Sequence, residues 1–180
     1  MARNSLLIVA LFGIAVYCTG CSADNTANVS VRDILERIQS DVSTIESIEI
    51  ATEETDDNNL LGKQGQYIEL GWFVDSRVEK LEVYADRLYD NPQDADGNFL
   101  PIGYKTESGT AGGGAIEKFS SVQDAKKRSE YLDKFNAADV PSFLSPGYHE
   151  QYGVFVIRVS KNLTATQQRE LAEQIKKSIR

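Results

Sequence analysis

Gln151-Tyr152-Gly153-Val154-Phe155-Val156-Ile157-Arg158-Val159-Ser160 is the stretch on which the fold turns. Val154, Val156 and Arg158 alternate with Phe155, Ile157 and Val159, so both faces of an extended chain would be largely apolar here. A strand of that kind lies in the interior of its sheet. The stretch predicts one central strand over 151–160. Upstream, Tyr67 to Val74 (YIELGWFV) is rich in aromatic and branched residues and predicts a second strand. Its even positions, Ile68, Leu70, Trp72 and Val74, are expected to face the core. Ala115 to Phe119 predicts a short third strand.

Helical patterns lie between and around these strands. Ser30-Val31-Arg32-Asp33 has the form of a capping box with Asp in the place of Glu. Val31, Ile34, Leu35, Ile38, Val42, Ile45 and Ile48 then recur at helical spacing, which predicts one helix through the whole stripe. Val78, Leu81, Tyr84 and Leu88 predict a second helix over 76–89, stopped by Asn91-Pro92. Ser121-Val122-Gln123-Asp124 opens a third, to about Asn136, burying Val122, Ala125, Leu132 and Phe135. Leu171, Ala172, Ile175 and Ile179 mark the buried stripe of the last. Residues 51–66 and about 90–114 carry no period and read as loops. The order predicts an α+β fold: a small, mostly antiparallel sheet of about three strands with helices packed on one face, preceded by a signal peptide.

The 180 residues amount to a single domain once the start is set aside. Hydrophobic residues make up 41%, enough for a real core. The formal net charge is -8, and Arg3 is the one charged residue in positions 1–20. Such a chain repels nucleic acid at long range and shows no basic stripe to reverse this, so no nucleic-acid partner is expected.

The start has its own logic. A short polar beginning with Arg3 leads into an apolar run from Leu6 to Tyr17. That run has the length of a signal-peptide core and is too short for a bilayer crossing, which takes about 20 apolar residues. It ends at Cys18-Thr19-Gly20-Cys21, and no other cysteine follows. A disulfide between Cys18 and Cys21 would close a very small loop and stabilise little. A metal or redox pair would need a second pair or a βαβ context. The third reading is a bacterial lipobox, which this stretch resembles, with Cys18 standing where Leu is usual. It implies that residues 1–20 are a lipoprotein signal peptide and that Cys21 carries a diacylglycerol. Residues 21–29 would then be a flexible tether and 30–180 a single α+β domain. Two acyl chains at about 0.8 kcal/mol per buried CH₂ anchor a domain almost permanently. The rival is an ordinary cut after Ala23, which would give a freely secreted protein.

A wider resemblance lies in the mature chain. Thr55 to Tyr67 (TDDNNLLGKQGQY), Phe73-Val74-Asp75-Ser76-Arg77, Gly113 to Phe119 (GGAIEKF) and Asp124-Ala125-Lys126 are the segments that carry it. They resemble an uncharacterised family of secreted proteins and lipoproteins of Gram-positive bacteria, both actinobacteria and firmicutes. The resemblance covers most of 48–180, with a longer connection than usual between Arg77 and Gly113. It implies location and unity of fold, and carries no activity or catalytic residues with it.

Catalytic groups are scarce. No GxSxG, Walker or GxGxxG motif occurs. His149 is the one histidine; with Glu150 it would begin a metal site, but no HExxH spacing completes it. Gly109 to Gly114 (GTAGGG) precedes a strand instead of a helix, so it reads as a flexible hinge. Glu53, Glu54, Asp56 and Asp57 read as a solvated loop. Asp94-Ala95-Asp96-Gly97-Asn98 resembles the middle of an EF-hand, yet Pro92 and Gly103 stand where carboxylates belong. No cofactor is expected, and an irregular Ca²⁺ site at Asp94, Asp96 and Asn98 is the one metal candidate. The sequence thus points to a membrane-anchored, extracytoplasmic, non-catalytic domain binding a protein, peptide or wall polymer. The candidate surface is Asn58, Asn59, Tyr67 and Trp72. The alternative is a carboxylate-dependent enzyme acting on the cell wall.

Overall fold

The computed structural model describes residues 28–105, 107–138 and 147–180. The expected leader, Cys21 and most of the tether lie outside these residues. The fold is α+β, built on a five-stranded antiparallel sheet. Its strands are β1 (Ile45–Ile50), β2 (Tyr67–Asp75), β5 (Gly113–Phe119), β6 (Tyr148–Tyr152) and β7 (Phe155–Val159), in the order β1-β2-β5-β7-β6. Two short strands, β3 (Leu81–Val83) and β4 (Gly103–Lys105), form a separate ribbon. The helices are α1 (Val31–Asp41), α2 (Val122–Ala137) and α3 (Ala165–Ile179).

The sheet has more strands than the expected three, for two local reasons. The helical stripe from Val31 stops early: α1 ends at Asp41, with Val42 extended behind it. Ile45, Ile48 and Ile50 belong to β1 instead. A bulge between Ile45 and Ser47 pairs Ile45 with Asp75 and Ile48 with Phe73, so the three isoleucines share one face. The bulge thereby mimics the i, i+3 spacing of a helix. The stretch 151–160 is likewise two strands. Gly153 takes a positive φ of 56° and turns the chain back between β6 and β7. The core of the reading survives in β7, which is interior, with Phe155, Ile157 and Val159 on one face and Val156 and Arg158 on the other.

The helices cover both faces, a correction to the single face expected. α1 and α3 pack against Phe73, Ile116, Phe155, Ile157 and Val159. Their stripes Val31, Ile34, Leu35, Ile38 and Leu171, Ala172, Ile175, Ile179 are buried as the periodicity predicts. α2 lies on the opposite face, where Ala125 and Leu132 meet Leu70, Ala115 and Val156. Val122 and Phe135, expected inside, are 46% and 38% exposed. A sheet with apolar groups on both sides demands such double cover. Ile68, expected in the core, is 44% exposed because a register shift between Tyr67 and Glu69 leaves it unpaired.

The glycine run is no hinge. Gly113 and Gly114 are buried within β5, where a Cβ on Gly114 would collide with the Phe73 ring and the Arg158 carbonyl. Gly71 opposite has the same reason: its Cβ would sit 2.6 Å from Leu35 Cδ1 and 2.9 Å from the Glu49 carbonyl oxygen. These glycines bring strands and helices close. The expected helix over 76–89 is also absent. Leu81 to Val83 pairs with Gly103 to Lys105, and Leu88–Asp90 makes a single 3₁₀ turn. Of the apolar residues that suggested the helix, Val78 is buried, while Leu81 and Tyr84 are each 42% exposed.

Candidate functional site

The loop before β2 is ordered by one carboxylate. Asp56 is 4% exposed. Its Oδ2 accepts from the amides of Leu60 (2.7 Å) and Leu61 (2.8 Å). Its Oδ1 accepts from the Tyr67 hydroxyl (2.7 Å) and the Asn58 amide (3.3 Å). Burial pushes the Asp56 carboxyl up, but the donors from Tyr67, Leu61, Leu60 and Asn58 outweigh it and hold the group below its ordinary value. Asn59 takes the left-handed conformation at φ 52°, which Asn tolerates, and its amide donates to the Asp56 carbonyl. The stretch read as a solvated acidic loop is thus a bonded scaffold around a buried aspartate.

α2 faces this loop across a groove of about 420 Å³. Asn58, Leu60, Gly65 and Gln66 form one wall, Phe119 lies beneath, and Asp124, Lys127, Arg128 and Tyr131 form the other wall. The helix wall is held from below. Glu117 on β5 is 1% exposed and accepts from Arg128 Nε (2.7 Å) and Nη2 (2.8 Å). Arg158 Nη1 donates to the same carboxylate at 3.1 Å, so two guanidiniums share one buried carboxylate. Among the described residues Arg158 Nε is buried with no hydrogen-bond partner. The Arg128 guanidinium also lies 5.7 Å from the centre of the Tyr131 ring, and Tyr131 is 50% exposed. Asp124 accepts from Ser121 Oγ (2.7 Å) and Lys127 Nζ (3.0 Å), which hold its carboxyl below the usual range.

The expected surface residues separate on this frame. Asn58 and Asn59 are exposed, and Asn58 lines the groove. Tyr67 is 1% exposed and edge-on to Phe119, so it supports the groove from within and does not offer a contact face. Trp72 is partly buried against the α2-side core. Asp94 is consumed by its own turn: its Oδ1 accepts from the Asp96 and Asn98 amides and its Oδ2 from Asn98 Nδ2, each at 2.9 Å. Among the described residues no group of three or more His, Cys, Asp or Glu is placed to hold a metal. His149 and Glu150 point to opposite faces. His149 Nε2 lies 3.2 Å from Asp133 Oδ1 on α2, while Glu150 Oε1 accepts from Lys176 on α3 at 2.8 Å. They cannot share an ion.

No family model, no curated protein and no solved structure matches the chain. The site therefore stands on its geometry.

Gln66 lies within the loop from Asn58 to Tyr67 that carries the expected surface, whereas Asp124, Lys127, Arg128 and Tyr131 were not singled out as site residues. One signal was present. Glu117 sits between Ile116 and Lys118 in a strand with apolar neighbours, and a carboxylate there needs a cationic partner from a covering element. The groove as built offers amides, a carboxylate, cations and half an aromatic face. This set binds a polar ligand with some apolar surface. Among the described residues no nucleophile and base are paired in it. Asp124 is the one carboxylate among its described lining residues, and two-carboxylate hydrolysis needs a second across the cleft.

Proposed function

We propose that the chain is a lipid-anchored, extracytoplasmic bacterial domain that binds a protein, peptide or wall polymer without catalysing a reaction on it, and that it belongs with the Gram-positive secreted proteins and lipoproteins it resembles. The observation that carries the binding role is the preorganised groove. Its loop wall is fixed by Asp56 and its helix wall by the Glu117–Arg128 pair, so little ordering remains to be done when a ligand arrives. The lipobox at Cys18 to Cys21 supports the anchor. Among the described residues no helix is long and apolar enough to cross a membrane.

The test is photo-crosslinking in cells. A photoreactive amino acid replaces Tyr131 in one strain and Lys177, exposed on α3 away from the groove, in another. A discrete adduct is expected from position 131 alone, and Asn58→Ala with Gln66→Ala is expected to reduce it at least about fivefold, the loss of one or two hydrogen bonds. Identical adducts from both positions, or an adduct indifferent to Asn58 and Gln66, would reject the groove. Release of soluble fragments from peptidoglycan by the purified domain would favour the enzymatic reading instead.

A further inference from the structure

The β3/β4 ribbon carries a second surface, separate from the groove. Glu82 pairs with Tyr104 and Val83 with Gly103, and the Ile102 amide donates to the Val83 carbonyl at 2.8 Å. This register places Tyr84, Ile102 and Tyr104 beside Glu82 on one face. The three are 42%, 56% and 64% exposed. The Tyr84 hydroxyl donates to Glu82 Oε2 at 2.6 Å, which raises its pKa. The root of the ribbon is fixed: Val78 is 2% exposed, and buried Asn91 accepts from the Ala85 amide at 2.7 Å. A two-stranded ribbon is marginal by itself, and contiguous apolar groups left in water mark interaction sites.

Charge selects the occupant. In residues 76–112 acidic side chains outnumber basic ones, and Arg77 is already engaged by Asp75 in a bidentate pair at 2.9 and 2.6 Å. A second copy of this chain would bring the same net charge of -8, and an anionic bilayer would be repelled likewise. A tyrosine pair beside the Glu82 carboxylate suits a cationic partner with an apolar anchor. We propose that the Tyr84–Ile102–Tyr104 face docks a positively charged protein segment that inserts an aliphatic or aromatic side chain.

The probe is a synthetic amphipathic peptide of Leu and Lys, titrated into the full chain and followed by fluorescence anisotropy, with a Leu and Glu peptide as counterpart. The Leu/Lys peptide is expected to bind saturably, more weakly as salt rises. Tyr84→Ser, Ile102→Ser and Tyr104→Ser combined are expected to weaken it at least about tenfold, as for hot-spot residues. Glu82→Lys, which leaves the apolar face intact, is expected to weaken it as well. Tyr131→Ala in the groove is expected to leave it unchanged, which separates this surface from the proposed binding site. No saturable binding, equal binding of the Leu/Glu peptide, or indifference to the ribbon variants would overturn the proposal. So would ribbon-dependent self-association in sedimentation, or ribbon-dependent binding to phosphatidylglycerol vesicles in place of the peptide.

Discussion

Replacing Glu117 by Ala is expected to lower the unfolding free energy by about 3–5 kcal/mol, the usual cost of removing one member of a buried ion pair. The Glu117 side chain is 2% exposed, and the side chains of Arg128 and Arg158, whose guanidiniums it serves, are 18% and 19% exposed. Without the carboxylate, two like charges would face each other beneath α2. The loss should appear as a lower urea midpoint at an unchanged slope. The two arginines are not equivalent. Arg128→Met breaks a bidentate pair at 2.7 and 2.8 Å, whereas Arg158→Met breaks one bond at 3.1 Å and removes a buried Nε that has no partner among the described residues. Arg158→Met is therefore expected to cost less than Arg128→Met. Equal costs, or a Glu117→Ala variant as stable as the parent, would mean that the triad does not hold α2 to the sheet.

Asp56→Ala is expected to cost about 2–4 kcal/mol, because three amides and the Tyr67 hydroxyl lose a charged acceptor together. Amide exchange at Leu60 and Leu61 should accelerate, and the groove should lose its loop wall. Acid acts on the same group. The folded carboxyl of Asp56 lies below its unfolded value of about 3.9, so its contribution is complete above that pH and is lost as pH falls through the lower folded value. Asp75 has the same sign: burial raises its carboxyl, and the bonds from Arg77 and Thr44 more than offset this. Stability of the parent should therefore fall below about pH 4. Asp56→Asn should show a shallower fall over that range. An equally steep fall in the variant would assign the acid sensitivity elsewhere.

How much of this was legible beforehand depended on range. The start of α1 was readable from its local cap and stripe and α3 from its stripe, and the structure shows capping boxes complete at Ser30 and at Thr164, the second of which was not anticipated. The interior position of β7 was readable from its two apolar faces. Where the sequence misled, a local pattern had two physical causes. Ile45 and Ile48 at three-residue spacing fit a helix, yet a bulge serves them equally well. Val78, Leu81, Tyr84 and Leu88 fit a helix, yet the partner strand lies beyond an intervening loop, at Gly103 to Lys105. The groove was least legible. Asn58 was singled out, but the facing wall, Asp124 to Tyr131, sits on a helix more than sixty positions away. The acidic loop concealed its one buried member because burial of Asp56 depends on Tyr67 and on the turn at Leu60 and Leu61.

The proposed function rests on the domain standing outside the membrane on a lipid at Cys21. The direct measurement is the intact mass of the mature N-terminus from a membrane fraction, beside a Cys21→Ala variant. A diacylglyceryl-modified Cys21 as first residue, with the variant unprocessed or released, is the predicted result. An unmodified chain beginning at Met1 inside the cell, or at Asp24 in the medium, would contradict the anchor.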